Sequence, residues 1–131
     1  MSEVTPGISA VREFTVTEDD TATALGSGDV PVLATPRLVA WLEAATVACL
    51  DDVLDDDATS VGTRVEVDHV VASPVGAHVT AAVSVVEVEG RRVVLEVAAE
   101  HRVSGGVPVL VASGRVTRAI VDRERFLARL A

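Results

Sequence analysis

ATPRLVAWLEAATVACLDDVLDD, residues Ala34–Asp56, is the segment of the chain with a sustained helical period. Leu38, Leu42, Ala45 and Cys49 recur at spacings of three and four, with Trp41 and Ala48 beside them, which makes one buried helical face. Thr35 followed by Pro36 reads as an N-cap with proline at the first helical position. The helix is predicted to run to about Leu54, where the acidic run Asp55–Asp57 begins. Carboxylates oppose the negative end of a helix dipole, so part of that run is predicted as loop. The apolar arc is wide, as a helix wrapped on most sides by a sheet requires.

Outside this helix the apolar residues alternate. Gly7–Thr17 ends on Phe14 and Val16 set between Glu13, Thr15 and Thr17, and reads as a first strand. Glu18–Asp29 (EDDTATALGSGD) is polar and glycine-containing, a loop or short cover. After the helix, Ser60–Ala72 carries Val61, Val65, Val67, Val70 and Val71 before a break at Ser73, Pro74 and Gly76. Ala77–Glu89 alternates cleanly, with Val79, Ala81, Val83 and Val85 on one face. Glu89-Gly90-Arg91 signals a hairpin into Arg92–Ser104, and Gly105-Gly106 a turn into Val107–Val121. Arg123–Leu130 can close the chain as a short helix. Short turns force antiparallel neighbours, and the helix and one sheet face each need a partner. The predicted class is α+β, an antiparallel five-stranded sheet wrapped around one long central helix.

Composition agrees and narrows the function. A chain of 131 residues predicts one domain over 1–131. Its apolar residues are mostly Val and Ala, with two Phe, one Trp and no Tyr. All eleven basic residues are Arg, against twenty acidic ones, for a net charge of −9. Nucleic-acid binding asks for a basic face and stacking aromatics, so no nucleic-acid partner is predicted. The single Cys49 excludes a disulfide framework and a cysteine-rich zinc site. No apolar run approaches the ~20 residues that span a bilayer, and the N-terminus lacks a signal-peptide pattern. The expectation is a soluble, cytoplasmic protein without a membrane partner. Asp51, Asp52 and Asp55–Asp57 lack the alternation and central glycine of a calcium loop, so no metal is predicted and the run reads as a solvated face.

Four polar residues stand out against this background. Glu43 lies in the middle of the most apolar helix, where a buried carboxylate needs a partner; an exposed stripe is the alternative. Thr35 opens the same helix and could be a plain cap. His69, in VEVDHVVASP, has a side chain whose ordinary pKa suits proton transfer, although a lone strand histidine is commonly structural. Gly62, in SVGTR, permits close backbone approach and offers an N–H to an oxyanion, or it marks a bulge. Cys49 reads as core. His78 and His101 have no evident companions. On pattern alone the reading stops at an α+β domain with a possible carboxylate–histidine site.

T-P…L-E (Thr35–Glu43), V-G-T (Val61–Thr63), V-D-H-V-V-A-S-P-V-G (Val67–Gly76), V-E-G-R-R (Val88–Arg92) and S-G-x2-T-R-A-I-V (Ser113–Val121) together resemble the hotdog-fold thioesterases, and among them the fluoroacetyl-CoA thioesterase-like group. The resemblance covers roughly Gly7–Leu127. It implies a catalytic set of a threonine, a glutamate eight residues later and a histidine 26 residues after that, intervals at which Thr35, Glu43 and His69 stand. It implies Gly62 near the thioester carbonyl as an oxyanion donor, and Arg118 as a further substrate-binding residue. The loop before the helix carries an aromatic lid in that group, whereas Asp19–Leu33 here has no aromatic residue. A short or medium acyl group under a looser cover is the expectation.

The resemblance therefore implies an acyl-CoA thioesterase. Glu43 would act as nucleophile or as the base that activates water, Thr35 would orient the attacking group or the carbonyl, and His69 would relay a proton. With no Lys, the CoA phosphates would need Arg, and Arg91 and Arg92 are candidates with Arg118. Coenzyme A enters as part of the substrate and no separate cofactor is expected. A homodimer, or a dimer of dimers, is predicted, because pairing removes an exposed sheet edge. Two alternatives share the fold: a non-catalytic acyl-CoA or small-ligand binding module, and an enoyl-thioester hydratase.

Overall fold

A computed structural model describes residues 4–131. Five strands form one antiparallel sheet: β1 (Ser9–Thr15), β2 (Ala58–His69), β3 (His78–Glu89), β4 (Arg92–Arg102) and β5 (Val109–Asp122). Their order across the sheet is β1-β3-β4-β5-β2, so β1 and β2 are the edges. One long helix, α2 (Thr35–Asp51), lies on one face. Two short helices complete the chain, α1 (Ala22–Leu25) and α3 (Arg123–Ala128).

The helix packs as its period predicts. Leu38, Trp41, Leu42, Ala45, Thr46, Cys49 and Leu50 are its buried residues. They meet the inward face of the sheet, where Val79, Ala81, Val83 and Val85 of β3 are buried in strict alternation, with Val93, Leu95 and Val116 beyond them. Trp41 stacks on Phe14 of β1, ring centroids 4.6 Å apart and 4° from parallel. The opposite side of the helix is only partly covered: Ala40 is exposed, and Val39, Ala44, Val47 and Ala48 are half-buried. The sheet thus embraces one side of α2 rather than most of its circumference.

Several boundaries differ from the sequence expectation for identifiable reasons. Ala34, not Thr35, is the N-cap of α2, and it makes no side-chain cap bond. Thr35 is the first helical residue and Pro36 the second, so the threonine hydroxyl is left available to a tertiary partner. The helix ends at Asp51, three residues short of Leu54, as the carboxylates from Asp51 onward oppose its C-terminal dipole. Residues 18–29 are more structured than a loop. A 3-10 turn at Glu18–Asp20 is closed by a Thr17–Asp20 capping box, and α1 is capped by the Thr21 hydroxyl. The turn between β4 and β5 takes positive φ at Ser104 (51°) and Gly105 (74°), and β5 starts at Val109 rather than Val107.

Two glycines fix how β2 sits. Gly114 on β5 pairs with Val67 of β2, and a Cβ there would collide with the backbone carbonyl of Glu66. The β2–β5 register shifts between Gly62 and Arg64, a bulge that curls the edge strand. No residue of β2 is fully buried, as suits an edge strand. Among the described residues no helix is long and apolar enough to cross a membrane.

Candidate active site

The polar residues singled out above gather into two groups on α2. At its N-terminal end the Thr35 hydroxyl lies 2.8 Å from Nδ1 of His69, the last residue of β2. Backbone lacing holds this pair. Val70 and Val71 N–H both donate to the Val111 carbonyl, at 2.8 and 3.3 Å, turning the chain just after His69. Leu33 N–H donates to the Ser73 carbonyl at 2.8 Å, tying the segment before Thr35 to the segment after His69. Ser73 Oγ in turn lies 2.6 Å from His101 Nδ1 on β4, both residues buried.

His69 Nε2 is buried and has no hydrogen-bond partner among the described residues. Burial pushes the His69 imidazole below its ordinary 6.5, opposed by a hydrogen bond with the Val71 backbone. The neutral ring is therefore the favoured form. A reaction that needs neutral His69 is expected to keep its rate as pH falls to 6.5 and to lose it only below, so the acid limb of kcat/KM lies under 6.5. Stability runs the same way. The unfolded chain takes up the proton more readily, so this contribution is present above 6.5 and is lost as pH falls from 6.5 toward the folded-state value. A pH–rate profile of the wild type beside His69→Ala checks this; an acid limb centred at or above 6.5 contradicts it.

An open cleft of about 340 Å³ adjoins Thr35 and His69. Its apolar lining comes from Val30, Val32 and Leu33 on one side and Val70 and Val71 on the other, and no aromatic side chain faces it.

The second group lies two turns along α2. Glu43 Oε2 accepts from Arg118 Nη1 at 3.1 Å. The Arg118 side chain is only 7% exposed, and two further donors go to Ser60: Nε to Oγ at 2.8 Å and Nη2 to the carbonyl at 3.0 Å. The guanidinium is thus committed to Glu43 and to β2, and does not point outward to a phosphate. Glu43 is one-third exposed, 34%. It is therefore neither a buried isolated carboxylate nor a freely solvated one: one oxygen is held and the group still reaches solvent. Gly62 faces it. A Cβ on Gly62 would lie 2.5 Å from Glu43 Oε2 and 3.4 Å from Arg118 Nη1, so glycine makes the space the carboxylate occupies.

Eight helical residues span about 12 Å along the axis, so within one chain Thr35 and His69 stand apart from Glu43, Gly62 and Arg118. Of the candidate phosphate ligands, Arg92 is ion-paired to Glu87 at 2.5 Å, whereas Arg91 lies exposed at the hairpin. Cys49 is core, 2% exposed, and its thiol is raised by burial and then by Asp52. Among the described residues no three His, Cys, Asp or Glu side chains are grouped to hold a metal. Ser60 and Ser73 escaped the sequence reading, and His101 stood there without a companion, because each has its partner 28 or 58 residues away.

Known proteins resemble this chain in sequence and fold. The profile of the fluoroacetyl-CoA-specific thioesterase family matches residues 16–124. The fluoroacetyl-CoA thioesterase of Streptantibioticus cattleyicolor is 33% identical over 99 residues, 76% of this chain and 68% of that one. A solved structure of a variant fluoroacetyl-CoA-specific thioesterase in complex with fluoroacetate and CoA superposes with a TM-score of 0.83 at 29% identity, covering 94% of this chain and 99% of that one. A thioesterase superfamily member from Thermus thermophilus superposes at 0.88 with 27% identity, covering 99% and 93%. The hotdog fold expected from the sequence is the fold of these proteins.

Proposed function

The chain belongs to the fluoroacetyl-CoA-specific thioesterase family, and from that premise we propose that it hydrolyses a short or medium acyl-CoA to the free acid and CoA through Thr35, Glu43 and His69. The observation that carries the reading is the held but solvent-reaching Glu43 carboxylate, cradled by Gly62 and Arg118. Arg118 orients one oxygen and balances its charge, which leaves the other for chemistry. Glu43 takes the proton of a water that attacks the thioester carbonyl, or attacks it itself to form an anhydride that a water then cleaves to the free acid, restoring the carboxylate. In both cases that water supplies the proton the thiolate receives. The carbon–sulfur bond breaks, and the thiolate leaves with a proton delivered by way of His69. The Thr35 hydroxyl fixes the imidazole. The Gly62 N–H is the candidate donor to the oxyanion. No cofactor beyond the substrate's own CoA is needed.

The cleft beside Thr35 and His69 is small for a ligand pocket, near the lower end of the usual ~300–1,000 Å³. That size and its valine lining suit a short or medium acyl chain. With no aromatic residue over it, preference for a fluorinated acyl group has no evident basis in this chain.

A homodimer completes this scheme. Thr35 and Glu43 of one chain are too far apart to act on one carbonyl, and β2 presents an unpaired edge. Antiparallel pairing of two β2 edges about a two-fold between Val65 and Glu66 would set His69 of one copy opposite Gly62 of the other. Each Thr35–His69 pair would then meet the second copy's Glu43.

The test is thiol release over a panel from acetyl- to decanoyl-CoA with a haloacetyl member, on protein whose mass in solution has been measured. Release that peaks at short or medium chains, from a species of two chains or a multiple, is the expected result. No release with acyl-CoA still raising the melting temperature would make the protein a binding module. Loss of enoyl absorbance without free thiol would make it a hydratase.

A further inference from the structure

We propose that the cleft between α3 and the β3–β4 hairpin binds the phosphorylated nucleotide end of coenzyme A, with Arg91, Arg125 and Arg129 on phosphate and Phe126 against the base. The inference rests on the acyl-CoA reading above and says where the far end of that substrate goes.

The cleft holds about 320 Å³ and is lined by Arg91, Val121, Asp122, Arg125, Phe126 and Arg129. A second, adjoining cleft shares Arg91, Val121, Asp122 and Arg125 and extends toward the end of α2. Three arginines therefore line one hollow of a chain whose net charge is −9. Five of the other eight arginines, Arg37, Arg64, Arg92, Arg115 and Arg118, each pair with a carboxylate. Arg91, Arg125 and Arg129 have no such pair among the described residues. Two carboxylates line the paired clefts: Asp122, which accepts from the Arg125 backbone N–H at 3.0 Å as the cap of α3, and Asp55 in the adjoining one. Mutual repulsion makes such a cluster unfavourable unless an anion fills it, and arginine binds phosphate bidentately. Phe126, the only phenylalanine besides Phe14, is half-buried among them and offers a ring face for stacking. Cations beside an aromatic face are the chemistry of a nucleotide phosphate.

Position supports the same ligand. Asp122 lies four residues beyond Arg118 on β5, about 13 Å along the strand. An extended pantetheine arm has comparable reach, so a thioester at Glu43 and Arg118 leaves its nucleotide near α3. Arg92 and Arg118 are committed to carboxylates, which leaves Arg91 as the hairpin's contribution.

The experiment compares wild type with Arg91→Ala/Arg125→Ala/Arg129→Ala, and separately Phe126→Leu, on an acyl-CoA and on the same acyl group carried by pantetheine. All three arginines are exposed, and circular dichroism checks the fold. The triple variant is expected to raise KM for acyl-CoA at least about tenfold, with kcat within twofold and the acyl-pantetheine kinetics unchanged. Added salt is expected to raise KM for the CoA substrate in wild type far more than in the variant. Calorimetry with CoA alone supplies a readout independent of turnover. A wild type that hydrolyses acyl-CoA with a KM untouched by the triple variant overturns this site and leaves the thioesterase intact. A wild type without thiol release whose CoA binding still depends on the three arginines overturns the thioesterase reading and keeps the site.

Discussion

Glu43→Gln is expected to lower thiol release from acyl-CoA by about 10²–10⁴-fold or more, the usual worth of a positioned acid or base and a minimum for a nucleophile. The substitution preserves shape. An amide oxygen can still accept from Arg118 Nη1, and Ser60 still takes the other guanidinium donors. What is removed is the charge that attacks carbon or removes a proton from water. The fold loses little. Arg118 is left without a counter-charge, which is costly for a fully buried pair. Glu43 is one-third exposed, so water shares the interaction and the expected loss is near the surface-pair range, about 1 kcal/mol. Activity and stability are thus expected to separate: steady-state kinetics should collapse while the melting curve moves by a few degrees. A Glu43→Gln enzyme within tenfold of wild type would remove Glu43 from the reaction.

The largest expected loss of stability comes from Gly114→Ala. The new methyl group would be driven into the Glu66 carbonyl, with Val67 Cα at 2.8 Å. Both contacts are backbone, so no rotamer change relieves them, and β2 must lift from β5. Overpacking costs typically 1–3 kcal/mol where side chains can yield. Here nothing yields, and a cost above about 3 kcal/mol is expected, a fall in melting temperature of at least about 10 °C. Lifting β2 would also disturb Gly62 and His69, which that strand carries. The control is Ser113→Ala, one residue earlier and exposed, which should melt with wild type. Equal melting temperatures for the two variants would show that the strands separate more easily than this packing implies.

What the sequence revealed and what it concealed divide along physical lines. Period announces itself locally, so α2 and the alternation of β3 were legible from Leu38–Leu50 and Val79–Val85. Thr35–Pro36 was misread as a cap because a hydroxyl at a helix start has two uses, and only the fold shows that His69 claims it. The short helices at residues 18–25 were hidden because single turns carry no period; their signal was the threonines that cap them. Glu43 could have faced either way, and the answer came from Arg118, 75 residues distant. Gly62 was read as a place for close approach, which it is, although what approaches in this structure is the protein's own carboxylate. Gly114 drew no attention, because the backbone it must avoid belongs to another strand. Arg125, Phe126 and Arg129 lie within the stretch Arg123–Leu130 that reads as a short last helix, and only folding brings Arg91 to them.

The lacing behind Thr35 and His69 has an evolutionary corollary. Leu33 is bonded to Ser73, Ser73 to His101, and Val70 and Val71 to Val111, so the Thr35–His69 pair is braced on the core side. Ala22, Ser27, Gly28, Asp29 and Val30, which also line the cleft, make none of these bracing bonds. Under the proposed function, substitutions or changes of length there are expected to redraw the acyl preference while leaving the Thr35–His69 brace intact. A lineage built on this plan can diversify its substrates one cleft wall at a time while inheriting its chemistry unchanged.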